Sequence, residues 1–348
     1  MKKRLILLVT ILSLTLLITG CSKEKEEKSS DKKYDYLVLV NKYTQLPNDW
    51  EKNVKLVETK NAWDEDIKVE KEAFEQYKKF KEDVEKDLKK FKTTIELDST
   101  YRSVKEQQEL WDEWSKDPEK GPDYVKKFVA VPGYSEHHTG LAIDICLKKD
   151  GELVYDNDKM IAEKEIFSKI HAKLADYGFI LRYPKDREDS TGYTYEPWHL
   201  RYIGDKDIAK EIMEKNITFE EYLDSVEDLD NNHSAAIYRI EKTLQEYFKG
   251  TYGDKIKSSR FNITKIYTKE EADKDDTLKD LKLGEKDLAF EVEYQVQPSN
   301  DKNIKELTVP DGEYNKELGW VTNIERLGVL KYDSKTNKYS IKNFGTGW

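Results

Sequence analysis

The residues of this sequence that could do chemistry lie in two short stretches. The first runs from Tyr134 to Asp144 and contains His137 and His138, and the second is the segment Glu-Pro-Trp-His that ends at His199. Two imidazoles and one carboxylate supply three metal ligands and leave a fourth position open, as hydrolytic metal sites require. A glutamate beside such a metal can act as a general base. The two stretches therefore predict a metal site suited to hydrolysis.

The two adjacent histidines cannot both serve one site if the backbone there is extended. Neighbouring side chains of an extended segment point to opposite faces, so we expect only one of His137 and His138 to join Asp144. A His–Asp pair alone is also typical of a buried hydrogen bond, and the Glu-x-x-His segment is what favours a metal. Pro197 disfavours a helical backbone at Glu196, so we expect a bend that turns this carboxylate toward the site.

Two predicted strands would carry the distant ligands. Residues 140–147 alternate apolar side chains with small or polar ones, which predicts a strand that points Asp144 toward a cleft. Residues 198–203 alternate in the same way and place His199 and Arg201 on one side. Asp144 and His199 are the candidate ligands that these two strands would supply.

A predicted helix start lies upstream of these strands. Ser103 and Glu106 have the spacing of a capping box, so a helix is expected to begin there. Arg102 then stands at a helix N-terminus, where its guanidinium and the backbone amides can receive an anion. A surface salt bridge is the alternative for this arginine.

Hydrophobic periodicity predicts the other elements of the first two-thirds of the chain. A strand is expected over 34–43, a long amphipathic helix over 66–91 and a strand over 93–97. A further helix over 161–177 is expected to end at Gly178 and to lead into a strand.

Composition indicates a globular, acidic protein of two domains. The chain has 348 residues, of which 37% are hydrophobic and 37% charged, and its formal net charge is −10. This length exceeds that of most single domains. The acidic balance gives no electrostatic support for a nucleic-acid partner.

The first twenty residues have the pattern of an export signal. A basic start precedes an apolar run that is short for a membrane-spanning helix. The run ends in Leu-Ile-Thr-Gly-Cys, which resembles the bacterial lipobox. We therefore predict a lipoprotein signal peptide over 1–20, lipid on Cys21, a polar tether through residue 33, and an extracytoplasmic protein anchored to the bacterial cell membrane. An ordinary signal peptide that happens to contain a cysteine is the alternative.

The acidic, asparagine-containing stretch 227–233 is the best linker candidate. It separates a first predicted domain over 34–228 from a second over 234–348. In the second, an amphipathic helix precedes several strand-like segments, an order that resembles the nuclear-transport-factor-2-like (NTF2-like) superfamily. We expect an α+β domain there, and its role is open.

Taken together, the motifs resemble a known family. Ser135-x-His137-x-x-Gly140-x-Ala142-x-Asp144, Glu196-x-Trp198-His199 and Tyr101-Arg102-Ser103-x-x-x-Gln107-x-x-Leu110 are similar to the motifs of the VanY-type D-alanyl-D-alanine carboxypeptidases of the M15B peptidases, zinc enzymes of the LAS type. These share a fold with the L,D-carboxypeptidases and the Hedgehog signalling domain. The resemblance covers residues 35–226 and implies an α+β fold, with a small antiparallel sheet and flanking helices carrying a zinc site.

The resemblance also implies a role for each matched residue. It implies that zinc is held by His137, Asp144 and His199 and that Glu196 is the general base. It further implies that Arg102, Gln107 and Ser135 hold the substrate, with Arg102 nearest its terminal carboxylate or the carbonyl under attack.

Four residues at or near the motifs are given no catalytic or ligand role. Thr100 stands where the family usually has glycine, which affects the expected shape of that loop. His138 occupies a variable position of the family and is assigned no role. Trp198 is expected to pack beneath the site, and Cys146 to be a buried, inert thiol.

The expected function is that of a zinc-dependent D,D-carboxypeptidase that removes the terminal D-alanine from peptidoglycan stem peptides by metal-activated water attack. One alternative is an L,D-carboxypeptidase acting on tetrapeptides, because the motifs serve both. The other is a non-catalytic cell-wall binding module that keeps the zinc fold. Glu196 argues against the latter, because a site that only binds needs no base.

Overall fold

The computed structural model describes residues 35–47, 50–116, 125, 129–308, 311–316 and 318–346. The predicted signal peptide, the lipidation site Cys21 and the polar tether lie outside these residues. Within the described ranges, no helix is long and apolar enough to cross a membrane. The same ranges combine helices with antiparallel sheets, which confirms the α+β class.

The elements follow one another in chain order, with helices concentrated in the first two-thirds. The strands are β1 Leu56–Lys60, β2 Asp66–Glu70, β3 Thr93–Ser99, β4 Ala142–Lys149, β5 Glu152–Val154, β6 Phe179–Leu181, β7 His199–Tyr202, β8 Ile256–Tyr267, β9 Leu288–Pro298, β10 Glu313–Asn315, β11 Trp320–Asp333 and β12 Lys338–Gly345. The α-helices are Trp50–Asn53, Lys71–Leu88, Val104–Lys116, Asn157–Ala162, Lys164–His171, Glu188–Thr191, Lys206–Lys215, Phe219–Ser225, His233–Tyr252, Lys269–Lys274 and Asp301–Leu307.

A small antiparallel sheet positions the two polar stretches. Its strand order is β3-β4-β7-β6, and β5 pairs with the far end of β4. In the register of β4 with β7, Asp144 stands directly opposite His199. Directly opposed residues of an antiparallel pair point to the same face. Asp144 and His199 therefore lie side by side on one face of the sheet.

The long helix begins later than its periodicity predicts. Residues 66–70 pair with β1 in a hairpin, so their backbone groups are already hydrogen-bonded to another strand. The helix starts at Lys71, where the Glu70 side chain accepts a hydrogen bond from the Ala73 N–H at 2.8 Å. The predicted start at residue 66 was therefore wrong. The face toward the core is the predicted one and carries five buried residues: Ala73, Tyr77, Phe80, Val84 and Leu88.

The predicted strand over 34–43 was also wrong. Its described part forms no ladder, and the nearest sheet-like contact is an isolated parallel bridge between Thr44 and Phe261. Val38 and Val40 pack into one hydrophobic cluster while Leu39 packs into another, which explains the alternating pattern. The carbonyl of Val38 accepts a hydrogen bond from the Arg201 side chain instead of a neighbouring strand.

The helix predicted over 161–177 is broken into shorter pieces. Two α-helices meet at Glu163, whose ψ of 47° is not helical, and a 3-10 turn over Ala175–Tyr177 follows. Gly178 ends the segment with a φ of 77°, as its position predicts.

The C-terminal segment folds as a helix and a second antiparallel sheet. The strand order is β10-β11-β9-β8, with β12 on β11. The helix His233–Tyr252 buries Ile240, Leu244 and Phe248 against one face of this sheet. A helix followed by several strands is the order that the sequence predicts for this segment. Likeness to the NTF2-like superfamily stays a prediction.

The chain beyond residue 33 forms one compact unit. Two large hydrophobic clusters pack its described residues together. The first joins the long helix 71–88 to the small sheet. The second joins Ile203 and Phe219, from before the predicted linker, with Phe248 and Phe290 after it. The C-terminal segment is thus packed on the part that carries the polar stretches.

Candidate metal and catalytic site

Three side chains from the two stretches converge in the structure. One ligand atom each of His137, Asp144 and His199 lies within 4.8 Å of the others. His137 Nε2 is 3.1 Å from Asp144 Oδ2, and His199 Nδ1 is 2.9 Å from Asp144 Oδ1. Two ligands of a tetrahedral zinc with bonds of about 2.1 Å stand roughly 3.4 Å apart. The cluster therefore has the dimensions of a metal site.

The backbone around the adjacent histidines is a 3-10 helix over Glu136–Thr139, not an extended segment. The expectation that only one histidine joins Asp144 is confirmed, but its physical reason was wrong. His138 turns away, donates from Nδ1 to the Arg102 carbonyl at 2.6 Å and accepts from the Gly133 N–H at 3.0 Å. The helical turn thus separates the two rings, and Gly140, with a φ of 72°, ends it.

Hydrogen bonds on the outer side of each ring leave the inner nitrogen available. His137 Nδ1 donates to the Thr100 carbonyl at 2.6 Å, and His199 Nε2 lies 3.3 Å from Glu136 Oε2. Proteins commonly orient metal-binding histidines in this way. Threonine replaces the family's usual glycine at position 100 without disturbing this contact. The Thr100 backbone carbonyl binds His137, and the Thr100 hydroxyl donates to the Lys68 carbonyl.

The charge balance of the cluster also favours a cation. Asp144 Oδ1 is buried and faces His199 Nδ1 at 2.9 Å, but without the alignment of a good hydrogen bond. Burial lowers the pKa of His199, but the Asp144 carboxylate opposes this and raises it to about 10. A metal ion replaces that proton as the positive charge facing the carboxylate. The residues present therefore fit a divalent metal such as zinc.

Glu196 lies beside the cluster without being part of it. Its Oε2 is 3.7 Å from His199 Nδ1. The Glu196 carbonyl accepts from the His199 N–H at 3.2 Å, so the chain bends through Pro197 as expected. Burial raises the pKa of Glu196 to about 8. A carboxyl group with a raised pKa is suited to taking up and returning a proton near neutral pH.

Lys42 approaches Glu196 from the N-terminal segment, and its sequence context gave no signal. Its Nζ stands 4.5 Å from the centre of the Tyr193 ring. Burial lowers the pKa of Lys42, and the Glu196 charge opposes this effect. Gly192 makes room, because a Cβ at that position would stand 3.0 Å from Lys42 Cδ. A cation therefore borders the site on the side of Glu196.

Arg102 stands at the start of helix Val104–Lys116, as predicted. The capping box is present, with Glu106 accepting from the Ser103 N–H at 2.7 Å. The Arg102 guanidinium donates to Gln107 Oε1 at 2.8 Å and to Ser99 Oγ at 3.0 Å. It forms no ion pair with a described residue, so its charge remains available to an anion.

Gln107 and Ser135 are already engaged within the protein. Gln107 also donates from Nε2 to the Ala130 carbonyl at 2.7 Å, so it braces Arg102. The Ser135 hydroxyl accepts from the His137 N–H at 3.3 Å and caps the 3-10 helix. Ser135 thus contacts a member of the cluster, and Gln107 contacts Arg102. Their contact with substrate stays a prediction.

Glu136 was missed by the sequence reasoning. It is fully buried and receives the Arg182 Nε at 2.7 Å and the Arg201 Nη1 at 2.8 Å, besides facing His199. Arg182 is held in turn by two bonds to Glu220, at 2.6 and 3.0 Å. The available signal was two arginines within otherwise apolar strand patterns, which require buried carboxylates.

Two further residues behave as expected. Cys146 is buried, and burial raises the pKa of its thiol to about 12, so it is an inert core residue. It does not belong to the metal-type cluster of the described residues. Trp198 packs, partly buried, against the first hydrophobic cluster.

The sequence matches proteins of known family over the region that carries this site. Residues 66–205 match the model of the VanY family, described as D-alanyl-D-alanine carboxypeptidase. The chain is 45% identical over 126 residues to the bifunctional D-Ala-D-Ala dipeptidase and D-Ala-D-Ala carboxypeptidase VanXYC of Enterococcus gallinarum, covering 36% of this chain and 63% of that protein. It is 34% identical over 197 residues to the putative carboxypeptidase YodJ of Bacillus subtilis strain 168, covering 56% of this chain and 68% of that protein.

A solved structure is also similar. It is a mutant of the vancomycin-resistance D,D-pentapeptidase VanY from a VanB-type cassette, crystallised with Zn(II). The identity is 28%, the match covers 54% of this chain and 98% of that one, and the TM-score is 0.44. The family match and the two curated relatives lead to one conclusion: this chain belongs to the VanY family of carboxypeptidases.

Proposed function

We propose that the protein is a zinc-dependent D,D-carboxypeptidase that removes the terminal D-alanine from peptidoglycan stem peptides. The observation that carries the proposal is the buried cluster of His137, Asp144 and His199, with Glu196 Oε2 3.7 Å from the last of these. This arrangement holds three ligands and a separate carboxyl group, as metal-assisted hydrolysis requires.

Each nearby side chain has a defined part in this chemistry. Zinc held by the cluster would lower the pKa of a water molecule to about 7. Glu196 takes the proton of the attacking water and passes it to the leaving amine. Arg102, which has no carboxylate partner among the described residues, binds the terminal carboxylate of the peptide or the oxygen of the carbonyl under attack.

The cellular setting is part of the proposal. A lipid on Cys21 and the tether through residue 33 would hold a catalytic domain over 34–228 outside the cell membrane, close to the cell wall. The domain over 234–348 would be held there by the same anchor. Mass spectrometry of the mature N-terminus, before and after Cys21→Ser, tests the anchor, and an unlipidated N-terminus in the native protein would contradict it.

The activity is tested with purified residues 34–348 and zinc. D-alanine release is measured from a pentapeptide ending in D-Ala-D-Ala and from the tetrapeptide. We expect release from the pentapeptide. Release from the tetrapeptide alone would assign the protein as an L,D-carboxypeptidase, and release from neither would favour a binding module.

The base is tested with Glu196→Ala. Turnover should be lost while one zinc per chain remains bound. Glu188→Ala is the matched control, since that glutamate is exposed and eight residues upstream. Activity retained by Glu196→Ala would contradict the base assignment.

A further inference from the structure

A pocket of about 240 Å³ lies between the C-terminal sheet and the loop that leads into the 3-10 helix. Gln45 and Tyr134 form one side. The other side is the face of β8, β9 and β11 that points away from helix His233–Tyr252. The strand register places Arg260 opposite Gln295, and Asn262 opposite Glu293, on that face.

Arg260 is the cation of this pocket and has no polar partner among the described residues. Its guanidinium carbon is 4.7 Å from the centre of the Tyr134 ring and 4.2 Å from that of Trp320. Both rings lie within cation–π distance of the guanidinium, and its N–H donors remain for hydrogen bonds. Arg260 is half-buried, so a ligand in the pocket can reach these donors, and a carboxylate matches the guanidinium fork best.

The remaining polar groups divide the pocket into an inner and an outer part. Gln295 is half-buried beside Arg260, whereas Glu293 and Glu325 are exposed and stand opposite each other in the register of β9 with β11. Glu293 already accepts a hydrogen bond from Asn262 at 3.0 Å. A cation inside and carboxylates at the rim suit a peptide, which carries carboxylate and N–H groups a few ångströms apart.

The pocket is close to the candidate active site along the chain. Tyr134 directly precedes Ser135 and stands three residues before His137. Three peptide units place their Cα atoms at most about 11 Å apart. The Gly133 N–H, next to Tyr134, also donates to His138. An extended peptide of three or four residues spans this separation.

We propose that this pocket is a substrate subsite in which Arg260 binds a carboxylate on the part of the peptide that precedes the scissile bond. The C-terminal domain thereby contributes to peptide recognition through Arg260, with Gln295 beside the guanidinium and the rim glutamates accepting peptide N–H groups. The inference rests on the proposed carboxypeptidase function and gives the C-terminal domain a role in it.

The test uses two acetylated peptides that differ in one side chain: Glu-Lys-D-Ala-D-Ala and Gln-Lys-D-Ala-D-Ala. The wild-type protein should show a kcat/KM about tenfold higher for the glutamate peptide, as expected for one charge-assisted hydrogen-bonded pair. In Arg260→Gln the ratio of the two values should fall to about one. Lys257→Gln is the matched control, because it removes one exposed cation from the same strand and should keep the wild-type ratio.

A second variant guards against a folding defect. Arg260→Lys keeps the charge without the planar fork and should give an intermediate ratio, with thermal unfolding used to check that each variant is folded. Equal kcat/KM values for the two peptides in the wild-type protein, or an unchanged ratio in a folded Arg260→Gln, would overturn the subsite.

A binding measurement separates failure of the subsite from failure of the proposed function. Calorimetry measures the affinity for acetyl-Ala-Glu-Lys and for acetyl-Ala-Gln-Lys, which contain no D-alanine bond to cleave. We expect about tenfold tighter binding of the glutamate peptide, lost in Arg260→Gln. If no peptide is hydrolysed but this difference is found, the proposed function fails and the subsite stands. Equal affinities for the glutamate and glutamine peptides would overturn the subsite.

Discussion

The Nε2 atom of His199 lies 3.3 Å from Oε2 of Glu136, and both side chains are buried. The opposite ring nitrogen, Nδ1, faces Asp144. Glu136 therefore fixes which nitrogen of His199 faces Asp144 and the candidate metal site. It is itself held by Arg182 and Arg201, so the orientation of one ligand depends on a buried ionic network.

Replacing Glu136 by glutamine should weaken metal binding as well as folding. The loss of an outer carboxylate typically costs about 10- to 100-fold in metal affinity. Breaking a buried ion pair also lowers the free energy of unfolding by about 3 kcal/mol or more. Zinc affinity by chelator competition and stability by urea unfolding measure the two effects.

Glu220→Gln is the control for this variant. It removes the other carboxylate of Arg182 and does not contact His199. Stability should fall while zinc affinity stays near the wild-type value. If both variants lower zinc affinity equally, Glu136 acts through general stability and not through His199.

The two adjacent histidines should respond differently to substitution. His137→Gln removes a predicted ligand, so zinc affinity should fall at least about 100-fold, which corresponds to roughly 3 kcal/mol of binding free energy. His138→Gln loses hydrogen bonds to Arg102 and Gly133 and should lower stability with one zinc per chain retained. Metal content by mass spectrometry decides, and loss of zinc from the His138 variant alone would reverse the assignment.

Removing the cation beside Glu196 should shift the pH dependence of activity. Burial raises the pKa of Glu196 to about 8, and Lys42 opposes this rise. Lys42→Met should therefore raise the pKa of Glu196 further, so that less of the base is ionised at a given pH. We expect the acidic limb of the kcat/KM profile to move to higher pH. A shift to lower pH would show that Lys42 does not stabilise the ionised base.

The free energy of unfolding should depend on pH through Glu241, which joins helix His233–Tyr252 to the N-terminal segment at Thr44. It is buried, accepts a hydrogen bond from the Thr44 hydroxyl, and burial raises its pKa to about 8. The folded protein holds this proton more tightly than the unfolded chain, so stability is complete below the ordinary glutamate range near pH 4.5 and falls as the pH rises toward 8.

Glu241→Gln should abolish that part of the pH dependence. The variant should match the wild type near pH 4 and exceed its free energy of unfolding by a few kcal/mol near pH 8. Urea unfolding at both pH values measures the difference. Glu246→Gln, on the exposed side of the same helix, should leave the pH dependence unchanged, and a wild-type protein equally stable at both pH values would contradict the prediction.

The sequence by itself determined the composition of the metal-type cluster and the class of the fold. His137, Asp144, His199 and Glu196 come together as their motifs predict, because strands β4 and β7 are built from local alternation and pair in antiparallel register. The capping box at Ser103 and the C-terminal helix and strands also follow from local patterns. Local patterns suffice where the neighbouring residues of the chain decide the backbone conformation.

Only the tertiary structure decided the features that depend on distant partners. Residues 66–70 form a strand because β1 lies beside them. Residues 35–43 form none, and the carbonyls of Tyr36 and Val38 accept hydrogen bonds from the Arg201 side chain instead. The role of Glu136 and the pocket around Arg260 likewise arise from residues far apart in sequence. Such contacts leave no periodic pattern in the sequence, because they form between segments that are far apart along the chain and meet only in the folded protein.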